Sequence, residues 1–122
     1  MIKKLPRKAL IIDDEHEIGL LLGSQLKRLG IDNNYAPNLT DGLKLFNKYT
    51  FSIVFLDINL PDGNGLDIIQ TLKEQNPASN IVVMSAYNTT EYNDKAIDLG
   101  ANTFIGKPFD STTIKKLITE YA

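Results

Sequence analysis

The sequence predicts an α/β fold, in which helices cover both faces of an open parallel sheet. Short apolar runs rich in β-branched residues recur without polar alternation, which is typical of parallel strands buried on both faces. Between them, apolar residues repeat at helical spacing. Strands that alternate with helices favour a single doubly wound sheet with right-handed crossovers. The four apolar runs are Ala9–Ile12, Ile53–Leu56, Ile81–Met84 and Thr103–Ile105.

A more polar fifth strand is predicted at Ile31–Ala36, where its polarity suits the edge of a sheet. Five strands favour the flavodoxin-like order 2-1-3-4-5 over a six-stranded dinucleotide fold. One helix is expected after each strand, and the fourth, over residues 88–99, has the weakest apolar stripe. The stripes are Ile18, Leu21, Leu22, Leu26 and Leu29; Leu39, Leu43 and Phe46; Ile68, Ile69 and Leu72; Tyr92, Ala96, Ile97 and Leu99; and Ile114, Leu117, Ile118 and Tyr121.

Boundary signals complete the element pattern. Gly30 and Gly100 follow the first and fourth helices, where a left-handed C-cap is expected. Asp14 and Glu17 have the spacing of a capping box for the first helix. We therefore expect one domain over residues 1–122, with residues 1–7 as a flexible N-terminal extension.

Composition excludes several classes of function. A net charge of −2 gives no electrostatic case for nucleic-acid binding. The absence of cysteine excludes disulfides, thiolate metal sites and cysteine nucleophiles, and it favours a reducing, cytoplasmic location. No apolar run approaches the roughly 20 residues that a membrane span requires. The basic start of the chain lacks the apolar region of a signal peptide.

Polar residues gather at the predicted carboxyl ends of the strands, the edge where open α/β sheets bind ligands. Asp13 and Asp14 follow the first strand, Asp57 ends the third, Ser85 ends the fourth, and Lys107 follows the fifth. Each alone is compatible with a helix cap or a turn. Their shared position at one edge of the sheet predicts a site.

Clustered carboxylates repel one another and stay ionised only beside a cation. Oxygen ligands suit Mg²⁺, and Lys107 supplies a second positive charge. Phosphoryl transfer to an aspartate needs a carboxylate nucleophile, a metal ion, a lysine and a hydroxyl donor, which here is Ser85. His16 has no histidine or cysteine companion, so we interpret it as a partly exposed helix residue rather than a metal ligand.

The motifs resemble those of a known family. They are Asp13–Asp14 after the first strand, LDINLPDGNG around Asp57, MSA at residues 84–86 and GANTFIGKPF at residues 100–109. Taken together, and over most of the chain from Lys8 to about Tyr121, they resemble the response-regulator receiver domain, the CheY-like family of two-component phosphorelay signalling.

The resemblance implies a role for each matching position. Asp57 would be the phosphoacceptor, Lys107 would pair with the phosphoryl group, and Ser85 and Phe104 would form the switch. Mg²⁺, with Mn²⁺ as an alternative, would be held by Asp14 and Asp57 directly, by the backbone carbonyl of Asn59, and by Asp13 through water. Pro108 would follow a cis peptide bond.

The implied function is a phosphoacceptor switch and not an enzyme, with only self-directed phosphotransfer and autodephosphorylation. The donor would be a sensor histidine kinase or a histidine phosphotransfer protein. Phosphorylation would change the surface of the fourth helix, fifth strand and fifth helix. Through this surface the domain would act on an output domain or form a homodimer. No direct contact with nucleic acid or a membrane is expected. Two alternatives remain open: a phosphorylation-independent receiver-like binding module, and a Mg²⁺-dependent aspartyl phosphatase.

Two hypotheses concern individual side chains. Tyr87 and Asn59 each lie two residues beyond a site residue, near the path of an attacking water, and Tyr87 is expected to slow hydrolysis of the acyl phosphate. Phe104 lacks a tyrosine hydroxyl, so its inward position should depend on packing alone. The sequence does not identify the kinase, the signal, the output or the phosphoryl lifetime.

Overall fold

The computed structural model describes residues 7–86 and 90–122, and over these ranges it has five helices and a five-stranded sheet. The strands of the sheet are β1 (Lys8–Ile12), β2 (Asp32–Ala36), β3 (Ile53–Asp57), β4 (Asn80–Ser85) and β5 (Thr103–Gly106). The helices are α1 (His16–Arg28), α2 (Leu39–Lys48), α3 (Ile69–Gln75), α4 (Thr90–Asp98) and α5 (Ser111–Tyr121). Of the expected N-terminal extension, only Arg7 is described, and it is exposed. The rest of the extension and Tyr87 lie outside the described residues.

The sheet is parallel throughout, in the order β2-β1-β3-β4-β5. This confirms the predicted order, with the polar β2 at an edge. Pairing of Ile12 with Leu56 and of Asp57 with Met84 aligns the carboxyl ends of the three central strands. The residues that follow these strands are therefore neighbours.

Two apolar layers hold the sheet between helices. Leu10 and Ile12 pack on the face covered by α2, α3 and α4, whereas Ala9 and Ile11 pack on the face covered by α1 and α5. All of β3 is buried, as expected for a strand covered on both sides. Asp57, the ionisable residue at the end of β3, therefore lies at the edge of an apolar core.

Three local predictions for the helices are tested directly. Gly30 and Gly100 have φ angles of +79° and +113°, which confirms both left-handed caps. The prediction of a capping box at Asp14 and Glu17 was wrong, because the N-cap of α1 is Glu15 and no side chain makes a cap hydrogen bond there. Leu21 was wrong as a core residue, since it is 52% exposed beside Leu20 at 75%.

The loop after β3 has structure that the sequence pattern did not predict. Asn59–Leu60 and Gly63–Asn64 form a two-stranded antiparallel hairpin, and Gly65–Ile68 form a 3₁₀ turn before α3. The Asp62 carboxylate accepts hydrogen bonds from the amides of Leu39 and Thr40, at 2.8 and 2.9 Å, and from the Thr40 hydroxyl at 2.7 Å. Asp62 thus joins this loop to the start of α2.

Replacing Asp62 with asparagine is expected to lower the thermal midpoint at neutral pH. Its hydrogen bonds from Leu39 and Thr40 hold the pKa of Asp62 below the ordinary 3.8, so its stabilising contribution is present above that value and is lost as the pH falls through the folded pKa. The difference in midpoint between wild type and Asp62→Asn should therefore shrink in acid. Asp67→Asn, the same change at an exposed neighbour in the 3₁₀ turn, is the control. Equal midpoints for wild type and Asp62→Asn at pH 7 would show that the bonds do not stabilise the fold.

Within the described residues, no helix is long and apolar enough to cross a membrane.

Candidate functional site

Three carboxylates meet at the carboxyl edge of the sheet. Asp13 follows β1 and is fully buried, Asp57 ends β3 and is 5% exposed, and Asp14 is exposed at the rim. One oxygen from each lies within 4.8 Å of the other two. The parallel pairing of β1 with β3 is what brings them together.

Lys107 faces this cluster from the loop after β5. Its Nζ lies 2.6 Å from Oδ2 of Asp13 and 3.4 Å from Oδ2 of Asp57, and its side chain is only 8% exposed. The Lys107–Pro108 peptide is cis, as the resemblance implies. A buried ammonium in contact with two buried carboxylates offsets part of the repulsion between them.

Opposing electrostatic effects determine the pKa of the Asp57 carboxyl. Burial and the neighbouring Asp13 charge raise the pKa of Asp57 from 3.8 to about 6, although Lys107 acts in the opposite direction. The pKa of Lys107 is raised by its hydrogen bond to Asp13 and by the Asp57, Asp13 and Glu15 charges, which outweigh the lowering effect of burial. At neutral pH Asp57 is therefore ionised and poorly solvated, which favours a reaction that removes its charge or pairs it.

The backbone behind Asp57 leaves no space for a side chain. A Cβ built on Gly65 would lie 2.1 Å from the main-chain oxygen of Asp57. The Gly65 amide donates to the carbonyl of Ile58 at 2.7 Å. The loop thus turns back against the main chain of Asp57, which explains why a glycine stands at this position.

Ser85 and Phe104 lie on the two neighbouring strands β4 and β5. Ser85 is 1% exposed, and its carbonyl accepts a hydrogen bond from the Lys107 amide at 2.8 Å. Phe104 is half-buried against the core layer that contains the β3 residue Leu56. The exposed Asn59 opens the hairpin beyond Asp57. The structure therefore brings Asp13, Asp14, Asp57, Ser85 and Lys107 to one edge of the sheet. Phe104 and Asn59 lie on the adjoining strand and hairpin, and Tyr87 lies outside the described residues.

A divalent cation suits this donor set. The carboxylate oxygens of Asp13, Asp14 and Asp57 lie within one small cluster, and hard cations prefer such oxygen ligands. Both oxygens of Asp13 already have partners, since Oδ1 accepts from the Glu15 amide at 2.9 Å and Oδ2 contacts Lys107. Asp14 is exposed and Asp57 is less tightly paired, at 3.4 Å from Lys107 against 2.6 Å for Asp13, so these two are the better placed direct ligands.

Two contacts at the site were not assigned from the sequence. Oε1 of Glu15 lies 3.3 Å from Nζ of Lys107, and the Tyr35 hydroxyl donates to the main-chain carbonyl of Asp13. The strand order places Tyr35 beside β1, where it pairs with Ile11, but the atom that its hydroxyl reaches is known only from the structure. The exposed His16 contacts the Tyr35 ring, with 5.4 Å between centroids, and does not join the carboxylate cluster.

The acidic cluster and facing lysine, at one edge of a doubly wound sheet, define a receiver-like site. The family model for the response regulator receiver domain matches residues 9–119. The chain therefore belongs to the response regulator receiver domain family.

One curated relative agrees with this assignment. The response regulator protein PilR of Pseudomonas aeruginosa is 33% identical over 112 residues, which are 92% of this chain and 25% of PilR. The chain thus spans only a quarter of that relative's length.

Two solved structures are similar over most of the chain. The beryllofluoride-activated NtrC4 receiver domain dimer has a TM-score of 0.89 and 30% identity, with 93% of this chain and 94% of that chain covered. A Burkholderia pseudomallei response regulator with a phosphorylated aspartic acid, calcium ion and citrate has a TM-score of 0.85 and 26% identity, covering 93% and 69% of the two chains.

Proposed function

We propose that this chain is a phosphoacceptor switch in which Asp57 accepts a phosphoryl group. The observation that carries the proposal is the buried Asp57 carboxylate, within 3.4 Å of the Lys107 ammonium and clustered with Asp13 and Asp14. The phosphorylated aspartic acid and calcium ion of the Burkholderia relative support the same chemistry on this fold.

In the proposed reaction, an Asp57 oxygen attacks the phosphorus of a phosphohistidine in line with the departing nitrogen. The new P–O bond forms as the P–N bond breaks, and the imidazole nitrogen leaves with the electron pair and takes up a proton. The donor is a sensor histidine kinase or a histidine phosphotransfer protein in the cytoplasm. Hydrolysis of the acyl phosphate by water returns the switch to its resting state.

Bound Mg²⁺ would neutralise the negative charge of the phosphoryl oxygens, because that charge otherwise opposes attack by a carboxylate. Asp14 and Asp57 would hold it directly, Asp13 through water, and Asn59 through its backbone carbonyl. Mn²⁺ has the same preference for oxygen ligands.

Lys107 and Ser85 would stabilise the phosphorylated state. The Lys107 ammonium pairs with one new phosphoryl oxygen, and the Ser85 hydroxyl donates to another. Ser85 then moves toward Asp57, and the Phe104 ring occupies the space left behind. This repacks the surface formed by α4, β5 and α5, which we propose as the contact with an output domain or a second copy. The dimer of the NtrC4 relative supports the latter partner.

The switch is tested with beryllofluoride, which mimics a phosphoryl group on aspartate. We expect Mg²⁺ and beryllofluoride together to shift amide resonances around Asp57 and, at a distance, across α4, β5 and α5. Asp57→Asn is the matched control, and it should show neither set of shifts. Shifts that stop at the acidic cluster in the wild type would contradict the proposed switch.

A further inference from the structure

Residues of β2 form hydrogen bonds with both the amide and the carbonyl of Asp13. The Asp13 amide donates to the carbonyl of Ala36 at 3.1 Å, and the Asp13 carbonyl accepts from the Tyr35 hydroxyl at 2.5 Å. The first bond extends the β1–β2 ladder. The second comes from a side chain, and it fixes the peptide that joins Asp13 to Asp14.

The Tyr35 ring reaches this carbonyl only because α1 has a glycine beneath it. A Cβ on Gly19 would lie 2.5 Å from Cε1 and 2.6 Å from Cδ1 of Tyr35. Beyond the ring, a cleft of about 490 Å³ runs between α1 and β2 and is lined by Tyr35, His16 and Gly23. The ring therefore has room to move away, and its hydroxyl bond holds it against Gly19.

We infer that Tyr35, seated on Gly19, is a positioning residue that sets the Asp13–Asp14 peptide for cation binding at the acidic cluster. Tyr35 acts through the Asp13 carbonyl and touches none of the reacting atoms. The inference rests on the proposed function, since it assigns the support for the proposed metal ligands. It also gives Gly19 a specific role beyond general helix packing.

Electrostatics keep the Tyr35 hydroxyl in its donor form. Burial first, and then the charges of Asp13 and Asp14, raise the pKa of Tyr35 above its ordinary 10.0. The phenol is thus protonated at neutral pH, where it can donate its hydrogen bond to the Asp13 carbonyl. On the opposite side of the acidic loop, Lys107 contacts Asp13 and Glu15. The loop is therefore held between a neutral donor on β2 and a cation after β5.

The first test is Tyr35→Phe, which removes the hydroxyl and keeps the ring. We expect Mg²⁺ to bind about five-fold more weakly, the scale of one lost neutral hydrogen bond. The readout is the Mg²⁺ dependence of the Asp57 amide resonance, without any phosphodonor. Tyr49→Phe, at a partly exposed tyrosine between α2 and β3, is the matched control and should bind Mg²⁺ as the wild type does.

The second test moves the ring without altering Tyr35. In Gly19→Ala the new Cβ must displace the ring, so we expect the same loss of Mg²⁺ affinity. Gly23→Ala is the matched control on the same helix, because its Cβ meets the end of the Asn33 side chain, at 2.8 Å from Oδ1, and leaves the Tyr35 ring in place. The double variant Tyr35→Phe/Gly19→Ala should bind Mg²⁺ like either single variant, since both remove one bond.

A third measurement separates positioning from chemistry. At saturating Mg²⁺, the Tyr35→Phe rate of phosphorylation by acetyl phosphate should return to within about two-fold of wild type, because excess cation compensates for weaker binding. Wild-type affinity in Tyr35→Phe, or an equal loss in Gly23→Ala, would overturn the inference while leaving the proposed function intact. A wild-type chain that binds Mg²⁺ but is never phosphorylated would refute only the proposed function.

Discussion

Replacing Gly65 with alanine is expected to destabilise the protein by about 3 kcal/mol or more. The added Cβ would lie 2.1 Å from the Asp57 carbonyl oxygen and 3.2 Å from Cγ of Leu56. A backbone oxygen cannot rotate away as a side chain can, so relief requires the end of β3 to move. Because Asp57, the proposed nucleophile, stands on that backbone, the proposed phosphoryl acceptance should fall together with stability.

Urea unfolding at pH 7 measures the effect of the Gly65 substitution. Gly23→Ala is the control, since it adds the same methyl group in a helix where the obstacle is the end of the Asn33 side chain. We expect its change in unfolding free energy to stay below about 1 kcal/mol. A Gly65→Ala protein as stable as Gly23→Ala would show that the loop under Asp57 is not close-packed.

Asp57→Asn should instead stabilise the metal-free protein, by about 2 to 3 kcal/mol at pH 7. The fold raises the pKa of Asp57 from 3.8 to about 6, so it disfavours the ionised carboxylate. Protonated Asp57 therefore stabilises the native state below the unfolded pKa, and this contribution is lost as the pH rises through the folded value. Asparagine keeps the shape without the charge, and Lys107 keeps Asp13 and Glu15 as partners.

The sign of the pH dependence distinguishes this effect from a general improvement in packing. The advantage of Asp57→Asn over wild type should grow from about pH 4 to about pH 7 in buffer that contains a chelator. Asp62→Asn is the internal comparison: because the pKa of Asp62 is lowered from 3.8, its deficit relative to wild type should stay nearly constant above about pH 5 and shrink only in acid. An advantage that is absent at pH 7, or constant with pH, would contradict the electrostatic description of the site.

Most of the site could be predicted because its residues end or follow strands, and strand ends can be read from short apolar runs. Asp13, Asp57, Ser85 and Lys107 each follow such a run, and a parallel sheet brings those ends together. The contacts of Tyr35 and Asp62 could not be read in this way. Both depend on where a side chain of one element reaches the backbone of another.

The error at Leu21 has a physical cause in α1. Leu20, Leu21 and Leu22 are consecutive, so a helical stripe can be drawn through more than one of them. Only packing against the sheet and α5 determines which one is buried, and the structure buries Leu22 together with Leu26. The hairpin at Asn59–Leu60 was likewise not predictable, because a pair of two-residue strands has no periodic pattern.

The central claim is that Asp57 accepts a phosphoryl group, and intact mass measurement tests it most directly. Wild type and Asp57→Asn would be incubated with Mg²⁺ and acetyl phosphate and weighed by mass spectrometry. We expect the wild type to gain the mass of one phosphoryl group, and the variant, or the wild type without Mg²⁺, to gain none. A wild-type chain that stays unmodified with Mg²⁺ present, or an equal gain in Asp57→Asn, would contradict the claim.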